Sequence, residues 1–400
     1  MKILLICQYY HPEPFRITDI CEAMAARGHE ITVIAGTPNY PMGKIYNGYR
    51  FGKRKEEIRN GVKIHRCFTI GRRSGFLFRL LNYYSYAISS SLYTAFLKEE
   101  FDVVFVHQLS PVMMACAGII YKKRHHKKLV LSSLDLWPES LVAGGVSKKS
   151  PIFKFFHWVS RRIYQRADRI LISSHSFASY FQEQFGICNT EYLCQYAEEL
   201  FTPETCQKNR SEQSEQTVDL MFAGNVGAMQ SVDTIIRAAA LTKDHPRLRW
   251  HIVGDGSDYN RLKKIAADQN LTSVIFHGRQ PVENMPEFYR MADAMLITLK
   301  ADPVISLTLP GKIQTYMAAG KAVIGAINGE AARVIEDANC GFCCPAEDAE
   351  GLAKLAMEFS KIDHDDFETN SYRYYQENYE KEVVLAKLEK ELSNACSKEL

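Results

Sequence analysis

The chain contains 400 residues, of which 46% are hydrophobic and 24% are charged, and its formal net charge is +3. This length predicts two or three domains, and this composition excludes a disordered, fibrous or mucin-like protein. The apolar stretch at residues 3–7 is too short for a signal peptide, and the one at residues 80–97 is too polar for a membrane-spanning helix. We therefore expect a cytoplasmic protein, either free or bound to a surface.

Positive charge is concentrated in the first half of the chain. Residues 1–200 hold 27 Lys and Arg against 16 Asp and Glu, whereas residues 201–400 hold 22 against 30. The net charges of +11 and −8 indicate that the first half meets an anionic surface or ligand. Basic and aromatic residues are interleaved in segments 72–86 and 148–162. This pattern fits an anionic membrane surface or a nucleic acid, and it also fits ordinary helix faces over a core.

Strands and helices alternate along most of the chain. A strand, a helix and a second strand within residues 2–35 form a βαβ unit, which requires parallel strands. The alternation continues to residue 173, stops at the polar segment 202–217 and resumes at Val218. We therefore predict an α/β fold with two Rossmann-like, doubly wound domains facing a central cleft, where ligands bind at the carboxyl ends of the strands.

The predicted domain boundaries follow from this alternation. An N-terminal domain occupies residues 1–200, a linker residues 201–217, and a C-terminal domain residues 218–370. The charged segment 371–400 is predicted to be helical and to cross back to the first domain.

A glycine-rich turn follows the first strand of the second domain. Gly224, Asn225 and Gly227 lie between a predicted strand and a predicted helix, where backbone N–H groups can approach a diphosphate. A tight turn without a ligand explains the same residues. Gly254 begins a second glycine turn, but the patterns GxGxxG and GxxxxGK[ST] are both missing from the sequence. Their absence argues against a dehydrogenase and a P-loop ATPase.

Lys312 stands at an unusual position for a lysine. It follows Pro310 and Gly311 at the predicted start of a helix, where positive charge is unfavourable unless an anion compensates it. Its ammonium could meet the same diphosphate as the glycine turn, although a surface lysine would also fit the sequence. We predict a catalytic role for Lys312.

Several polar residues follow strands of the first domain, at the edge where the cleft is expected. Asp135 and Glu139 could bind sugar hydroxyls or an acceptor, or they could cap and stabilise the next helix. The remaining candidates on this side are His11, Glu13, Arg16 and His107. The loop 11–16 suits phosphate or sugar contacts, and an ordinary helix-capping loop explains it as well.

Eleven cysteines lie mostly within apolar segments. The segment Cys340–Cys344 contains one CxxC, and no second CxxC completes a zinc set. We therefore expect reduced thiols and no metal site.

The order and spacing of short motifs resemble those of GT-B glycosyltransferases of retaining family 4, near the bacterial surface-polysaccharide branch that includes L-fucosamine transferases. The resemblance spans nearly the whole chain. The motifs that carry it are Tyr10–Arg16, Arg27–Ile34, Pro38–Pro41, Asp135–Glu139, Gly224–Gly227, Ile252–Gly256, Phe276–Gly278, Pro310–Lys312 and Tyr316–Lys321.

The resemblance implies transfer of a hexosyl or N-acetylaminosugar group, with retention, from a nucleotide-diphosphate sugar, with UDP favoured. The acceptor would be a polyprenyl-diphosphate-linked saccharide, bound by the N-terminal domain at the inner face of the cell membrane during O-antigen or capsule synthesis. Arg279 and its neighbours would meet the base, and Gly227 and Lys312 the diphosphate. No cofactor, metal or nucleic-acid partner is expected.

The chain departs from the family pattern at one place. The family commonly carries two glutamates separated by seven residues before its Met-Ala-x-Gly turn, and this chain has Leu307 and Thr315 at those positions. Gln314 or Thr315 would then hold the ribose as neutral groups. Glu330 would supply a catalytic carboxylate near the donor, together with Asp135 on the other side.

Two other functions remain open at this point. A nucleotide-sugar 2-epimerase has the same fold and needs no lipid acceptor, although the basic, aromatic surface argues against it. A non-enzymatic nucleic-acid-binding protein would use the basic half of the chain, but it would leave the turns at Gly224 and Lys312 unexplained.

Overall fold

A computed structural model describes residues 1–73, 75–143, 145–207 and 217–397. Residue contacts divide the chain into two compact units. Unit 1 comprises Met1–Cys194 together with Leu385–Leu400, and unit 2 comprises Gln195–Val384. Each unit contains its own sheet and is described by itself.

Unit 1 contains an eight-stranded sheet within the described residues. Its strands are β1 (Lys2–Ile6), β2 (Glu30–Gly36), β3 (Glu56–Arg59), β4 (Val62–Cys67), β5 (Val103–Gln108), β6 (Lys128–Ser133), β7 (Arg169–Ile172) and β8 (Thr190–Tyr192). They lie in the order β3-β4-β2-β1-β5-β6-β7-β8, and all pairs are parallel except β3 with β4. The central strands β1 and β5 are almost entirely buried, as parallel strands covered by helices on both faces should be.

Six helices of unit 1 precede the second unit in the described part of the chain. They are α1 (Ile17–Ala26), α2 (Phe76–Phe96), α3 (Cys116–His125), α4 (Ser140–Ala143), α5 (Pro151–Tyr164) and α6 (Ser176–Phe185). The start of α5 shows a sequence-encoded cap, because the Ser150 hydroxyl accepts from Phe153 N at 3.2 Å and Pro151 needs no donor in the first turn. Within the described residues, no helix combines the length and apolar character needed to cross a membrane.

Unit 2 contains a six-stranded, fully parallel sheet among the residues described. Its strands are β9 (Val218–Ala223), β10 (Leu248–Val253), β11 (Val274–Gly278), β12 (Ala294–Thr298), β13 (Ala322–Ala326) and β14 (Gly341–Cys344). Its helices are α7 (Pro203–Cys206), α8 (Asp233–Leu241), α9 (Tyr259–Asp268), α10 (Met285–Met291), α11 (Gly311–Ala318), α12 (Glu330–Asp337), α13 (Ala349–Phe359) and α14 (Asp365–Asn378).

The strand order of unit 2 is β11-β10-β9-β12-β13-β14. The chain therefore builds outward from β9 on one side, through β10 and β11, and then returns to place β12 next to β9. This arrangement creates a topological switch point between β9 and β12. In open parallel sheets, ligands bind at such a point, beyond the carboxyl ends of the strands.

The C-terminal helix α15 (Lys381–Ser397) returns the chain to unit 1. Glu389 accepts from Arg27 Nη1 at 3.2 Å and lies 2.7 Å from His29 Nε2. Glu391 accepts from Arg169 Nε at 3.0 Å. Leu388, on the same helix, is buried. Polar contacts and apolar burial together therefore hold α15 against unit 1.

The segment that the sequence predicts as a linker is only partly described. Thr202 caps α7 through a hydrogen bond from Thr205 N, and Cys206 is fully buried. Residues 208–216 lie outside the described residues.

Replacing Leu388 with alanine should lower the free energy of unfolding of unit 1 by about 2–5 kcal/mol, because it removes buried apolar volume and leaves a cavity. Urea denaturation followed by far-UV circular dichroism measures this loss. The exposed Lys390→Ala change on the same helix is the control and should stay within about 0.5 kcal/mol of the parent. If the two variants were equally stable, Leu388 would not be packed in the core of unit 1 as the structure has it.

Candidate active site

The first element of the candidate site is the turn that follows β9. Gly224 has a φ of +143°, in a region that favours glycine. A Cβ at Gly254, in the next turn, would lie 1.8 Å from Gly224 O. The two turns are also joined by a hydrogen bond from Val226 N to Asp255 O at 3.0 Å. A side chain at Gly254 would therefore force them apart.

Lys312 packs directly on this turn. A Cβ at Gly224 would lie 2.5 Å from Lys312 Cε and 2.9 Å from Nζ. Lys312 Nζ donates to Gln230 Oε1 at 2.8 Å and lies 3.8 Å from the centre of the Phe222 ring. The structure thus brings together the two turns that the sequence singled out, at the carboxyl end of β9.

The surroundings of Lys312 disfavour its charge. Desolvation lowers the pKa of Lys312 to about 7, and the groups that contact its ammonium are a neutral amide and an aromatic ring. Lys312 is therefore near its titration midpoint at neutral pH. An anion bound beside it would raise its pKa and restore its positive charge.

Tyr316 fixes the helix that carries Lys312. It is fully buried one turn after Lys312 in α11. Its hydroxyl donates to Ala223 O at 3.2 Å and lies 3.4 Å from both Ala223 N and Leu296 O. Since Ala223 ends β9 and Leu296 belongs to β12, this hydroxyl anchors α11 at the switch point. From the sequence, Tyr316 was recognised only as the first residue of the motif Tyr316–Lys321, and its contact with two strands was not predicted.

The two neutral residues predicted to hold the ribose lie in the first turns of α11. Thr315 Oγ1 donates to Gly311 O at 3.2 Å. Gln314 is buried, and with its amide oriented as a donor its nitrogen lies 3.0 Å from Pro310 O and 3.2 Å from Gly311 O. Both side chains therefore contact the start of their own helix, beside Lys312. Their role toward a ribose stays a prediction.

Glu330 follows β13 and is the first residue of α12. It is buried and accepts from Arg333 Nη2 at 2.9 Å. The preceding Gly329 has a φ of +71°, and a Cβ there would lie 2.1 Å from Ser306 O, so the Ser306 loop packs closely against the start of α12. Glu330 follows β13 and Gly224 follows β9, at the same edge of the sheet. Strand β12 lies between β13 and β9, so the two residues do not follow neighbouring strands.

The other donor-side candidates lie in the neighbouring turns. Asn225 and Arg279 are exposed. A Cβ at Gly227 would lie 2.7 Å from Asn225 Nδ2. Gly254 N donates to Gly278 O at 2.8 Å, so the turns after β9, β10 and β11 adjoin one another.

Asp135, on the acceptor side, lines a cavity in unit 1. Its Oδ2 accepts from the hydroxyls of Ser110 and Ser140, the latter at 3.1 Å. Burial raises the pKa of Asp135, and the two serine hydroxyls oppose that effect. The backbone of Leu136 also hydrogen-bonds to this carboxylate, so Asp135 is held by its own unit while it lines the cavity.

Glu13 is engaged with the protein itself. Its Oε1 accepts from Asn39 N at 2.8 Å and from Tyr40 N at 2.7 Å. Burial raises its pKa to about 7. His107 is also buried, which lowers its pKa to about 3, so it stays neutral at physiological pH.

The last candidates of unit 1 differ in exposure. Glu139 is buried and pairs with Lys148 Nζ at 2.8 Å. His11 and Arg16 are half-buried, and burial lowers the pKa of His11. None of the three lines the cavity that contains Asp135.

Within the described ranges, no three His, Cys, Asp or Glu side chains lie close enough together to hold a metal ion. Cys340, Cys343 and Cys344 are free thiols. Burial raises the pKa of Cys340 and Cys343 to about 12, so the CxxC segment carries no reactive thiolate at neutral pH.

Two family models match the chain, one in each half. The model for Glycosyltransferase Family 4 matches residues 16–192, and the model for Glycosyl transferases group 1 matches residues 204–381. The chain is thus a GT-B glycosyltransferase, family 4-like in its first half and group 1-like in its second, and the predicted fold class is confirmed. The matches favour a transferase over a 2-epimerase or a nucleic-acid-binding protein.

The chain is similar to proteins of bacterial polysaccharide synthesis. It is 27% identical to WbjE of Pseudomonas aeruginosa, named as a probable glycosyltransferase, over 65% of this chain and 66% of WbjE. It is 25% identical to WcaI of Escherichia coli, named for colanic acid biosynthesis, over 82% of this chain and 83% of WcaI. Its fold matches that of HepE of Anabaena, solved with UDP-glucose, with a TM-score of 0.70, 15% identity and coverage of 98% and 100%.

The lowered pKa of Lys312 predicts a pH-dependent stability difference between the parent and a Lys312→Met variant. Between pH 7 and the ordinary lysine range, the unfolded chain holds this proton and the folded chain releases it. Burying the Lys312 charge should therefore reduce the free energy of unfolding of the parent most at pH 7 and below. This reduction should become smaller as the pH rises. Thermal denaturation at pH 7, 8 and 9 should show Lys312→Met gaining most at pH 7.

The exposed Lys243→Met change is the control for this series, and its stability relative to the parent should show no such trend. If the stability gained by Lys312→Met were the same at every pH, the Lys312 ammonium would not be desolvated in the folded protein.

Proposed function

We propose that the protein transfers a sugar from a UDP-linked donor to a hydroxyl of a polyprenyl-diphosphate-linked saccharide, during synthesis of a bacterial surface polysaccharide such as O-antigen or capsule. The observation that carries this proposal is the desolvated Lys312 ammonium against the Gly224 turn, at the switch point of unit 2. Hexosyl and N-acetylaminosugar groups both remain candidates for the transferred sugar.

The donor diphosphate would lie between the Gly224 turn and the start of α11. The turn has no side chain at Gly224 or Gly227 to exclude a phosphate. At the start of α11, the N–H of Ile313 donates to Pro310 O at 3.0 Å, and the N–H groups of Gly311 and Lys312 would be the ones to meet the phosphate. Lys312 would donate to the phosphate oxygens. A diphosphate there would supply the negative charge that the surroundings of Lys312 lack, so binding would raise the pKa of Lys312 and take up a proton near neutral pH.

The relatives support this choice of donor and pathway. HepE, which shares the fold, was solved with UDP-glucose. WcaI is named for the synthesis of colanic acid. The neutral Gln314 and Thr315 would bind the ribose hydroxyls, and Arg279 would lie beside the base.

The proposed reaction proceeds with retention and needs no metal or cofactor. The bond between the anomeric carbon and the β-phosphate oxygen breaks, and a bond from that carbon to the acceptor oxygen forms on the same face. The acceptor proton passes to the departing phosphate. Lys312 and the N-terminus of α11 would stabilise the charge that grows on the phosphate, and Glu330 would bind the donor sugar.

The acceptor would approach from a membrane surface. Six of the exposed large apolar side chains of α2 repeat every three or four residues and so lie on one helix face: Leu77, Leu81, Tyr84, Ile88, Leu92 and Phe96. Helix α5 exposes Phe155 and Trp158 next to Arg161 and Arg162. Apolar side chains beside basic ones fit insertion into the interface of an anionic bilayer, so we place the protein peripherally on the inner face of the cell membrane.

A nucleotide survey tests the donor proposal. At 100 times its dissociation constant, a ligand that binds only the folded state stabilises it by about 2.7 kcal/mol. UDP should raise the melting temperature, and GDP, ADP, CMP and NAD should have little effect. Stabilisation by NAD alone, or by no nucleotide, would overturn the proposal.

Replacing Lys312 with alanine should lower kcat/KM for sugar transfer from the UDP-sugar. The decrease should correspond to a loss of about 2–4 kcal/mol of transition-state stabilisation, because the charge on the leaving diphosphate loses its cation. The matched control is Lys300→Ala, which removes a lysine after β12 that pairs with Glu347 at 2.6 Å. Unchanged turnover in Lys312→Ala would remove Lys312 from the mechanism.

Replacing Ile88 and Leu92 together with glutamate should abolish co-sedimentation with vesicles containing phosphatidylglycerol, because two charges would replace the apolar face of α2. Both positions are exposed, so the fold should persist. Leu241→Glu, at an exposed leucine of unit 2, should bind vesicles like the parent. Equal binding by the double variant would exclude α2 from the membrane contact.

A further inference from the structure

Unit 1 contains an open groove beside α2, with a volume of about 750 Å³, which is within the range of small-molecule sites. We propose that this groove binds a single anionic phospholipid, with an acyl chain along its apolar walls and the phosphate among its cations. The inference rests on the membrane location proposed above. The side chains that carry the argument are Lys44, Arg50, Phe51, Phe68, Arg73 and Phe78. Among the described residues, the groove shares no lining residue with the cavity that contains Asp135.

Two chain segments form the walls of the groove. Their lining residues come from segment 37–52, which follows β2, and from segment 68–73, which follows β4. The segments are in close contact, because a Cβ at Gly43 would lie 2.6 Å from Arg72 O and a Cβ at Gly71 would lie 2.8 Å from Gly43 O. Gly43 also has a φ of +70°, which favours glycine. The two glycines therefore let the walls meet at a point where a side chain would separate them.

The walls expose aromatic side chains to solvent. Phe51 is fully exposed, and Phe68 is 68% exposed. Phe51 also has a φ of +57°, a backbone conformation that is unfavourable for a bulky residue. Aromatic surface in water and a strained backbone both cost free energy in the free protein, and exposed apolar patches mark interaction sites. A hydrocarbon chain along Phe51, Phe68 and Phe78 would remove this surface from water.

Both threonines that line the groove use their hydroxyls within the protein. The Thr37 hydroxyl donates to Cys67 O at 3.0 Å, and the Thr69 hydroxyl donates to the same oxygen at 3.2 Å. In the part of the chain that the structure describes, no Asp or Glu lines the groove. Because sugar hydroxyls need polar partners of this kind, the lining favours a hydrocarbon chain over a saccharide.

Three cations add positive charge to this apolar groove: Lys44, Arg50 and Arg73. All three are exposed, and none forms an ion pair with a carboxylate of the described residues. The guanidinium carbon of Arg73 lies 5.6 Å from the centre of the Phe78 ring, so a positive charge stands directly beside an apolar wall. Cations beside an apolar wall match the boundary between the phosphate and the acyl chain of an anionic lipid.

Helix α2 connects the groove to the proposed membrane face. Ile70 N donates to Ser85 Oγ at 2.9 Å, and Ser89 Oγ donates to Phe68 O at 2.7 Å. One wall of the groove therefore lies along α2, whose exposed apolar face includes Ile88. Insertion of this face into a bilayer would bring the groove to the level of the lipid headgroups. A bilayer phospholipid is therefore the anionic amphiphile within its reach.

A short-chain lipid tests the groove without a bilayer. Dihexanoyl phosphatidylglycerol stays monomeric below its critical micelle concentration, and isothermal titration calorimetry measures its binding to the full chain. Dihexanoyl phosphatidylcholine has the same chains without net charge, and glycerol 3-phosphate has the phosphate without chains. The phosphatidylglycerol should bind saturably at one site, and both comparison compounds should bind at least about tenfold more weakly. No saturable binding, or equal binding of either comparison compound, would overturn the proposal.

Variants of the walls locate this binding in the groove. Phe51→Ser and Arg73→Gln should each weaken binding of dihexanoyl phosphatidylglycerol about tenfold, because one removes apolar contact and the other removes a cation. Both residues are exposed, so the fold should persist. The matched controls are Phe96→Ser and Arg161→Gln, at exposed positions outside the groove, and they should bind the lipid like the parent. Unchanged binding in the wall variants, or an equal loss in the controls, would overturn the proposal.

Co-sedimentation with vesicles separates this inference from the proposed membrane location. The Ile88→Glu, Leu92→Glu double variant should lose vesicle binding and still bind dihexanoyl phosphatidylglycerol, because neither residue lines the groove. A parent protein that binds vesicles but not the short-chain lipid would keep the membrane location and overturn the groove as a lipid site. A parent protein that binds the short-chain lipid but not vesicles would keep the groove and overturn the membrane location.

Discussion

The ammonium of Lys312 lies against the backbone of Gly224, and the candidate active site depends on this contact. It exists because Gly224 has no side chain and because α11 begins beside the end of β9. The ammonium is held by Gln230 and the Phe222 ring, which offer no compensating charge. A positive group kept in such surroundings is poised to respond to an anion, and we propose that this anion is the diphosphate of the donor.

Positioning this lysine requires the whole second sheet. The chain must return from β11 to place β12 beside β9 before α11 can cross the end of both strands. The Tyr316 hydroxyl then hydrogen-bonds to the backbone of both strands and anchors α11. The site is therefore built on a buried contact between a helix and two strands.

The alternation of strands and helices was predictable from the sequence, because it follows from the local spacing of apolar residues. The turns at Gly224 and Lys312 were predictable as well. In the described part of segment 371–400, which was predicted to be helical, the structure has two helices. Helix α14 ends at Asn378 and α15 begins at Lys381, without a proline or glycine between them to signal the break. Element boundaries of this kind are set by tertiary packing, which a local pattern does not contain.

The polar partners of the site were harder to predict. Gln230 and Lys312 are far apart in sequence, so no local pattern predicts their hydrogen bond. Glu13 was chosen as a candidate because it is charged and follows a strand, but in the fold it binds two backbone N–H groups. The sequence shows that Glu13 and Asp135 are both carboxylates that follow strands. Only the fold shows that Glu13 binds backbone N–H groups of a loop and that Asp135 lines a cavity.

The titration of Lys312 with and without nucleotide tests the central claim most directly. In ¹³C-lysine-labelled protein, the Cε signal of Lys312 can be assigned with Lys312→Met and followed from pH 5 to pH 10. We predict that Lys312 titrates near pH 7 in the free protein and at a clearly higher pH when UDP is bound. A Lys312 titration that saturating UDP leaves unchanged would contradict the account, because the diphosphate would then lie elsewhere.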